Sequence, residues 1–136
     1  MNNFLTPLDV RHLGEGLWMV LAPFTYRLGH PAGAEFVHVP VGFVTDFASI
    51  PRPLWTFWPS PGGKYDKPSL IHDALYQRGY VESADGSKRI VERSEADTIF
   101  RDAMKVTKTN GVSLRLIYCG VRLGGRAAWN AYWEND

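Results

Sequence analysis

One helical segment decides how the rest of this chain is interpreted: residues 66–79, with the sequence DKPSLIHDALYQRG. Helical spacing puts an imidazole and a phenol on the same stripe as aliphatic side chains, and the stripe comprises Pro68, Ile71, His72, Leu75, Tyr76 and Gly79. We therefore expect His72 to face a partly dry interior. There an unpaired ring nitrogen costs about 1 to 3 kcal/mol, so His72 needs a partner.

Asp97 is the best candidate for that partner. It lies near the start of a second helical segment, where Asp97, Phe100 and Met104 recur on one apolar face. Carboxylates rarely occupy such a face unless they are paired. If Asp97 accepts a hydrogen bond from one ring nitrogen of His72, the other nitrogen is left as a general base for water. Asp73, turned about 100° around the helix, would face another wall of the same cleft, where it could hold a cation.

The sequence predicts an α+β fold in a single domain spanning residues 1–136. Strands are expected over about 8–44, a connection rich in proline and aromatic residues over 45–65, and helices over 66–133. The strand candidates are 17–21, 24–28 and 35–39, joined through glycine-containing turns at 14–16 and 29–33. The helix candidates are 67–79, 94–108 and 112–133, the second opened by a Ser94-x-x-Asp97 capping pattern.

Composition narrows the possible partners. The chain has 136 residues, is 45% apolar and carries a net charge of +1, so nucleic acid is not an expected partner. The single cysteine, Cys119, rules out an internal disulfide, and we expect synthesis in the reducing bacterial cytoplasm. No stretch has the roughly 18 consecutive apolar residues of a transmembrane segment, so contact with lipid would be peripheral. A later association with a virion stays open.

Additional site candidates lie in the segment Thr45-Asp46-Phe47-Ala48-Ser49-Ile50-Pro51-Arg52. A structural interpretation has Asp46 accept backbone N–H groups near Ser49 and pair with Arg52. A functional interpretation places Asp46 beside His72 as a further acid or metal ligand. Structural alternatives apply elsewhere too: Asp97 can be a helix-capping residue, Asp73 can be an early-helix acid stabilised by the helix dipole, and His72 can be a satisfied core histidine.

The pattern His72-Asp73-x-x-Tyr76, followed by Ala96-Asp97-x-x-Phe100, resembles the phospholipase A-two superfamily. The resemblance implies that His72 is the general base for water and that Asp97 orients its imidazole. It also implies that Tyr76 is a hydrogen-bond partner of Asp97 and that Asp73 is a calcium ligand. Calcium is the one cofactor it suggests.

A longer set of residues resembles an uncharacterised phage and prophage family, a domain of unknown function. That set is Val39-Pro40-Val41-Gly42-Phe43-Val44 running into Thr45–Arg52, together with the two patterns above. This resemblance implies a bacteriophage origin but no activity.

Two functional hypotheses follow. The first is a small phage-type hydrolase with a phospholipase-A-two-like site, acting on an ester or amide of the bacterial envelope such as a lipid. The second is a non-catalytic virion protein, for instance in the tail or tail tip, whose polar cluster pins the helices and whose partners are phage structural proteins. The second is motivated by the lack of a Gly-x-Gly calcium loop at suitable spacing, since Pro61-Gly62-Gly63 lies too close to His72.

Overall fold

The computed structural model describes residues 3–15, 17–30, 33–45, 66–109 and 111–133, without the side chains of residues 66, 128 and 131–133. Its order of elements confirms the α+β class, with antiparallel strands first and three helices after them. None of the helices in these ranges is long and apolar enough to span a membrane.

The first sheet has three antiparallel strands in the order β1-β2-β5. They are β1 (Val10–Gly14), β2 (Leu17–Val20) and β5 (Val44–Thr45). The predicted turn before Leu17 joins β1 to β2. In it, Gly14 and Glu15 both adopt positive φ, at 93° and 55°. Glycine suits that backbone conformation, which explains why β1 ends at Gly14.

The second sheet has four antiparallel strands in the order β3-β4-β6-β7. They are β3 (Phe24–Arg27), β4 (Glu35–Val39), β6 (Tyr80–Ser83) and β7 (Lys88–Ile90). The β6–β7 hairpin lies between two helices and extends the sheet by pairing with β4. It turns at Asp85-Gly86, where Gly86 has φ 88° and the Asp85 carboxylate accepts from the Ser87 amide at 2.9 Å. These two strands lie inside the range 66–133, for which the sequence predicts helices only.

Helix α1 (Asp66–Arg78) is buried on all sides along most of its length. It packs against β4 and β5 and against the two later helices, α2 (Arg93–Val106) and α3 (Gly111–Trp133). Pro68 lies in the first turn, where no intrahelical N–H bond is lost. The helix ends before Gly79, whose φ of 75° supplies the left-handed residue common after a helix.

All three helices begin and end within two residues of their predicted bounds.

The predicted capping pattern of α2 is wrong. The residue that precedes this helix is Glu92, which makes no side-chain capping hydrogen bond, and Ser94 lies inside the helix. Because α2 begins one residue before Ser94, that hydroxyl is out of position to cap it. Asp97 is consequently not the acidic member of a capping box, and its carboxylate is committed to the side chains described below.

The main core lies between the second sheet and helices α1 and α2. Phe24 is fully buried on β3, opposite Val39 of β4, and its ring lies 5.7 Å from that of Phe4. A smaller cluster, formed by Phe100, Met104, Ile117 and Val121, joins α2 to α3. Helix α1 is therefore part of the large core, while α3 contacts α2 through the smaller cluster and the large core through Trp129.

Replacing Phe24 with alanine is expected to lower the free energy of unfolding by about 3 to 5 kcal/mol, since it removes a buried ring and leaves a cavity. Ile90→Ala is the matched control, because Ile90 is 84% exposed on β7, and it should change stability by less than about 0.5 kcal/mol. Urea unfolding followed by circular dichroism measures both. Similar losses in the two variants would contradict this account of the core.

Candidate functional site

Helices α1 and α2 bring His72, Tyr76 and Asp97 into direct contact. The Nε2 atom of His72 lies 2.8 Å from Oδ1 of Asp97, and the Tyr76 hydroxyl donates to the same oxygen at 2.7 Å. His72 and Tyr76 are four residues apart, so they lie side by side on α1 and both reach the carboxylate. The hydrogen bond predicted between His72 and Asp97 is therefore present. The contact between Tyr76 and Asp97 that the phospholipase resemblance implied is present too.

Two arginines complete the surroundings of Asp97, and neither is among the site residues predicted from the sequence. The Arg122 guanidinium on α3 donates to Oδ2 of Asp97 at 2.8 Å, and that of Arg93 lies 3.6 Å from the same oxygen. Arg93 also donates to the backbone carbonyl of Arg122 at 3.2 Å. Arg93 could have been found, because it precedes Asp97 by four residues on the same helix. Arg122 comes from a distant helix, and no local spacing points to it.

These donors keep Asp97 ionised although it is fully buried. Burial alone would raise the pKa of this carboxyl group, but the hydrogen bonds from His72 and Tyr76, with further help from Arg122, lower it below the usual value. Burial and the bond to Asp97 raise the pKa of the Tyr76 hydroxyl well above its usual value, so Tyr76 acts as a donor. Because an ionised Asp97 can only accept, the proton between it and His72 belongs to Nε2.

The remaining ring nitrogen of His72, Nδ1, has no hydrogen-bond partner among the described residues. The imidazole is held in place by its neighbours, with ring centroids 4.1 Å from Tyr76 and 4.7 Å from Phe100. Trp129 of α3 packs edge-on against Tyr76 at 5.2 Å. His72 is therefore fixed in orientation and has one nitrogen with no partner in this part of the chain.

Ser69 lies one helical turn before His72 on the same helix. Its hydroxyl is fully buried, and none of the described residues pairs with it. Side chains on a helix lean towards the preceding turn, so Ser69 and the imidazole of His72 are neighbours on α1. A buried hydroxyl of this kind is commonly satisfied by an ordered water molecule.

Asp73 is buried on α1, and its Oδ2 atom accepts from the Gln77 side-chain amide at 3.1 Å. Calcium takes six to eight oxygen ligands. Within the described ranges, no three His, Cys, Asp or Glu side chains group in a way that would hold a metal ion. These residues thus do not by themselves fit a calcium site, and the role of Asp73 as a ligand stays a prediction.

The three additional candidates, Asp46, Ser49 and Arg52, lie outside the described residues, as does the Pro61-Gly62-Gly63 segment. Thr45, which precedes Asp46, is buried at the end of β5, and β5 packs against α1. Because Asp46 itself is outside the described residues, its placement beside His72 stays a prediction.

Comparison with protein families gives one match. Residues 18–121, which include His72, Tyr76, Arg93 and Asp97 but not Arg122 or Trp129, match the family described as "Protein of unknown function (DUF1353)". The chain belongs to this family. Searches of curated proteins and of solved structures found no match. The DUF1353 assignment carries no activity with it, so the chemistry has to be argued from the cluster itself.

Gly125 of α3 tests the packing around Tyr76. A Cβ atom at this position would lie 2.5 Å from the Tyr76 hydroxyl oxygen, which cannot easily move because it is bound to Asp97. Gly125→Ala should lower the free energy of unfolding by about 1 to 3 kcal/mol through overpacking, despite the roughly 1 kcal/mol by which alanine favours a helix over glycine.

Gly111→Ala is the control for this substitution, since nothing lies within 4 Å of a Cβ atom there. In a Tyr76→Phe background the cost of Gly125→Ala should shrink, because the clashing oxygen is gone. Urea unfolding of wild type, Gly125→Ala, Tyr76→Phe and the double variant gives the coupling energy between positions 76 and 125. An equal cost in both backgrounds would show that the hydroxyl does not occupy this position.

The lowered pKa of Asp97 predicts a specific acid sensitivity. The stabilisation from an ionised Asp97 is fully present above the ordinary aspartate pKa of about 3.9 and is lost as the pH falls through the lower pKa of the folded state. Asp97→Asn should therefore be less stable than wild type at neutral pH, and the difference should narrow below about pH 4. Urea unfolding of both proteins between pH 7 and pH 3 measures it. A difference that stays constant over this range would mean that Asp97 is not ionised in the folded protein.

Proposed function

We propose that this DUF1353 protein is a small hydrolase that acts on an ester or amide of the bacterial envelope, with His72 as the general base. The observation that carries the proposal is the 2.8 Å contact between His72 Nε2 and Asp97 Oδ1. It fixes the imidazole so that Nδ1 is the nitrogen available to take a proton. A histidine oriented by a buried carboxylate is a recurrent arrangement for activating a nucleophile.

The chemistry needs only water and the substrate. Nδ1 of His72 removes a proton from water as the water oxygen bonds to the carbonyl carbon. The resulting tetrahedral intermediate collapses, the bond to the leaving group breaks, and the leaving group takes the proton from Nδ1. Asp97, ionised and bonded to Nε2, stabilises the imidazolium that exists between these steps. Tyr76 holds Asp97 in place at 2.7 Å.

A phospholipid is the substrate that the resemblance to the phospholipase A-two superfamily favours, and a phage origin would explain an envelope target. Calcium at Asp73 is part of the same resemblance. No step above depends on it, because no three His, Cys, Asp or Glu side chains among the described residues group to hold a metal ion, and Gln77 already binds one oxygen of Asp73. The experiment below is therefore run with and without calcium.

The second candidate function is a non-catalytic virion protein in which the cluster is structural. It is favoured by the burial of the site, since His72 is only 4% exposed and Asp97 has no exposed surface. Arg93 and Arg122 also lie beside Oδ2 of Asp97. Their positive charges weaken the electrostatic stabilisation that Asp97 can give to a protonated His72. In this case the cluster fastens three helices together, and the partners are phage structural proteins.

Hydrolysis of a phospholipid panel by the purified protein, with and without calcium, separates the two functions. His72→Gln removes the base but keeps a side chain able to hydrogen bond with Asp97, so we expect a folded protein with at least a hundredfold lower turnover. His12→Gln is the matched control, because His12 lies exposed on β1, and its turnover should equal that of wild type. Circular dichroism establishes that each variant is folded.

Unchanged turnover in a folded His72→Gln variant would overturn the proposed mechanism. Absence of turnover on every ester and amide tested, together with co-sedimentation of the protein with assembled phage particles, would favour the virion role instead.

A further inference from the structure

Helix α3 presents an exposed apolar stripe on the side opposite the core. The stripe consists of Val112, Leu116, Cys119 and Leu123, all of which are exposed. Their spacings of four, three and four residues place them on one face of the helix. Val112 is 70% exposed and Leu123 is 86% exposed. This face carries most of the exposed aliphatic surface of α3, whereas Ile117 and Val121 on the other side are buried against α2.

Arginines follow one edge of this stripe. Arg115 and Arg126 are exposed, and each lies three residues after a member of the stripe, Val112 and Leu123 respectively. Residues three apart are neighbours on a helix surface, so the guanidinium groups lie alongside the aliphatic side chains. Arg122 belongs to the same edge, but its guanidinium is partly engaged by Asp97.

The charge of this helix sets it apart from the rest of the protein. Residues 111–133 contain three arginines and no Asp, Glu or Lys, while the whole chain has a net charge of only +1. The remainder of the chain is therefore net negative, and its positive charge is not spread evenly. A partner for this face has to accept aliphatic side chains and be negatively charged at the same place.

We propose that the outer face of α3 docks on the surface of a bilayer that contains anionic phospholipid. Exposed leucine and valine side chains would enter the boundary between headgroups and acyl chains, while Arg115 and Arg126 pair with lipid phosphates. The charge complementarity selects an anionic surface over a neutral one. The helix lies along the membrane plane and does not cross it, in keeping with the lack of a spanning helix in the described ranges.

This face lies close to the candidate site through Arg122. One side of this arginine binds the buried Asp97 at 2.8 Å, while its side chain remains 34% exposed at the edge of the stripe. The docking proposal does not depend on hydrolysis, because binding to vesicles is measured without turnover. The His72→Gln variant should therefore bind vesicles as wild type does.

Sedimentation with vesicles tests the proposal, using the full chain with vesicles of phosphatidylcholine alone and of phosphatidylcholine mixed equally with phosphatidylglycerol. We expect binding to the mixed vesicles only, and weaker binding at high salt. The double variant Arg115→Gln/Arg126→Gln should bind about 25-fold more weakly, from a contribution of about fivefold for each arginine. Leu123→Gln should bind about tenfold more weakly.

Two controls match these variants in exposure and chemistry. Ile90→Gln changes an 84% exposed aliphatic residue on β7, and Arg11→Gln changes an exposed arginine on β1. Both should bind as wild type does.

The proposal is overturned if wild type binds neither vesicle, if it binds both equally, or if the controls lose as much affinity as the α3 variants. It is also overturned if wild type is a dimer in solution that Leu123→Gln converts to a monomer. That result would assign the stripe to a contact between two copies of the chain.

Discussion

The burial of one ionised carboxylate constrains the helical half of this protein. Asp97 has no exposed surface, and a charge in that position is tolerated only when its oxygens are satisfied by donors. His72 and Tyr76 of α1, Arg93 of α2 and Arg122 of α3 meet this requirement. Each helix must therefore hold a fixed register relative to the other two. Removing one donor leaves the buried carboxylate short of one hydrogen bond, which costs more than that bond contributes when it is present.

The same constraint explains features that look unrelated in the sequence. Gly125 allows α3 to approach the Tyr76 hydroxyl, which in turn is fixed because it donates to Asp97. Trp129 packs edge-on against the Tyr76 ring from the next turn of α3. The small cluster of Phe100, Met104, Ile117 and Val121 then holds α3 against α2. The inner face of α3 packs against α1 and α2. The aliphatic stripe on its outer face is therefore not covered by any of the described residues.

The sequence could predict only those features that depend on local periodicity or on the pairing of a buried polar group. The three helices, the inward direction of His72 and its pairing with Asp97 all follow from apolar spacing and from the need to satisfy a buried imidazole. The β6–β7 hairpin was missed although Asp85-Gly86 is a recognisable turn signal, because the flanking strands are short and mostly polar. The predicted cap at Ser94 was wrong because the residue that precedes α2 is Glu92, two positions earlier. Arg122 could not be found, since a partly exposed arginine does not require a buried partner as an inward-facing imidazole does, and no local spacing on α3 points to Asp97.

The central claim is that Nε2 of His72 carries a proton and donates a hydrogen bond to an ionised Asp97. Nitrogen-15 NMR of the histidine side chains tests it directly, because the spectrum distinguishes the two ring nitrogens and detects a proton held in a strong hydrogen bond. The account predicts a slowly exchanging, strongly deshielded proton on Nε2 of His72 that disappears in Asp97→Asn, while the signals of His12 and His38 are unchanged. A His72 that carries its proton on Nδ1 alone, or an Nε2 signal insensitive to Asp97→Asn, would contradict it.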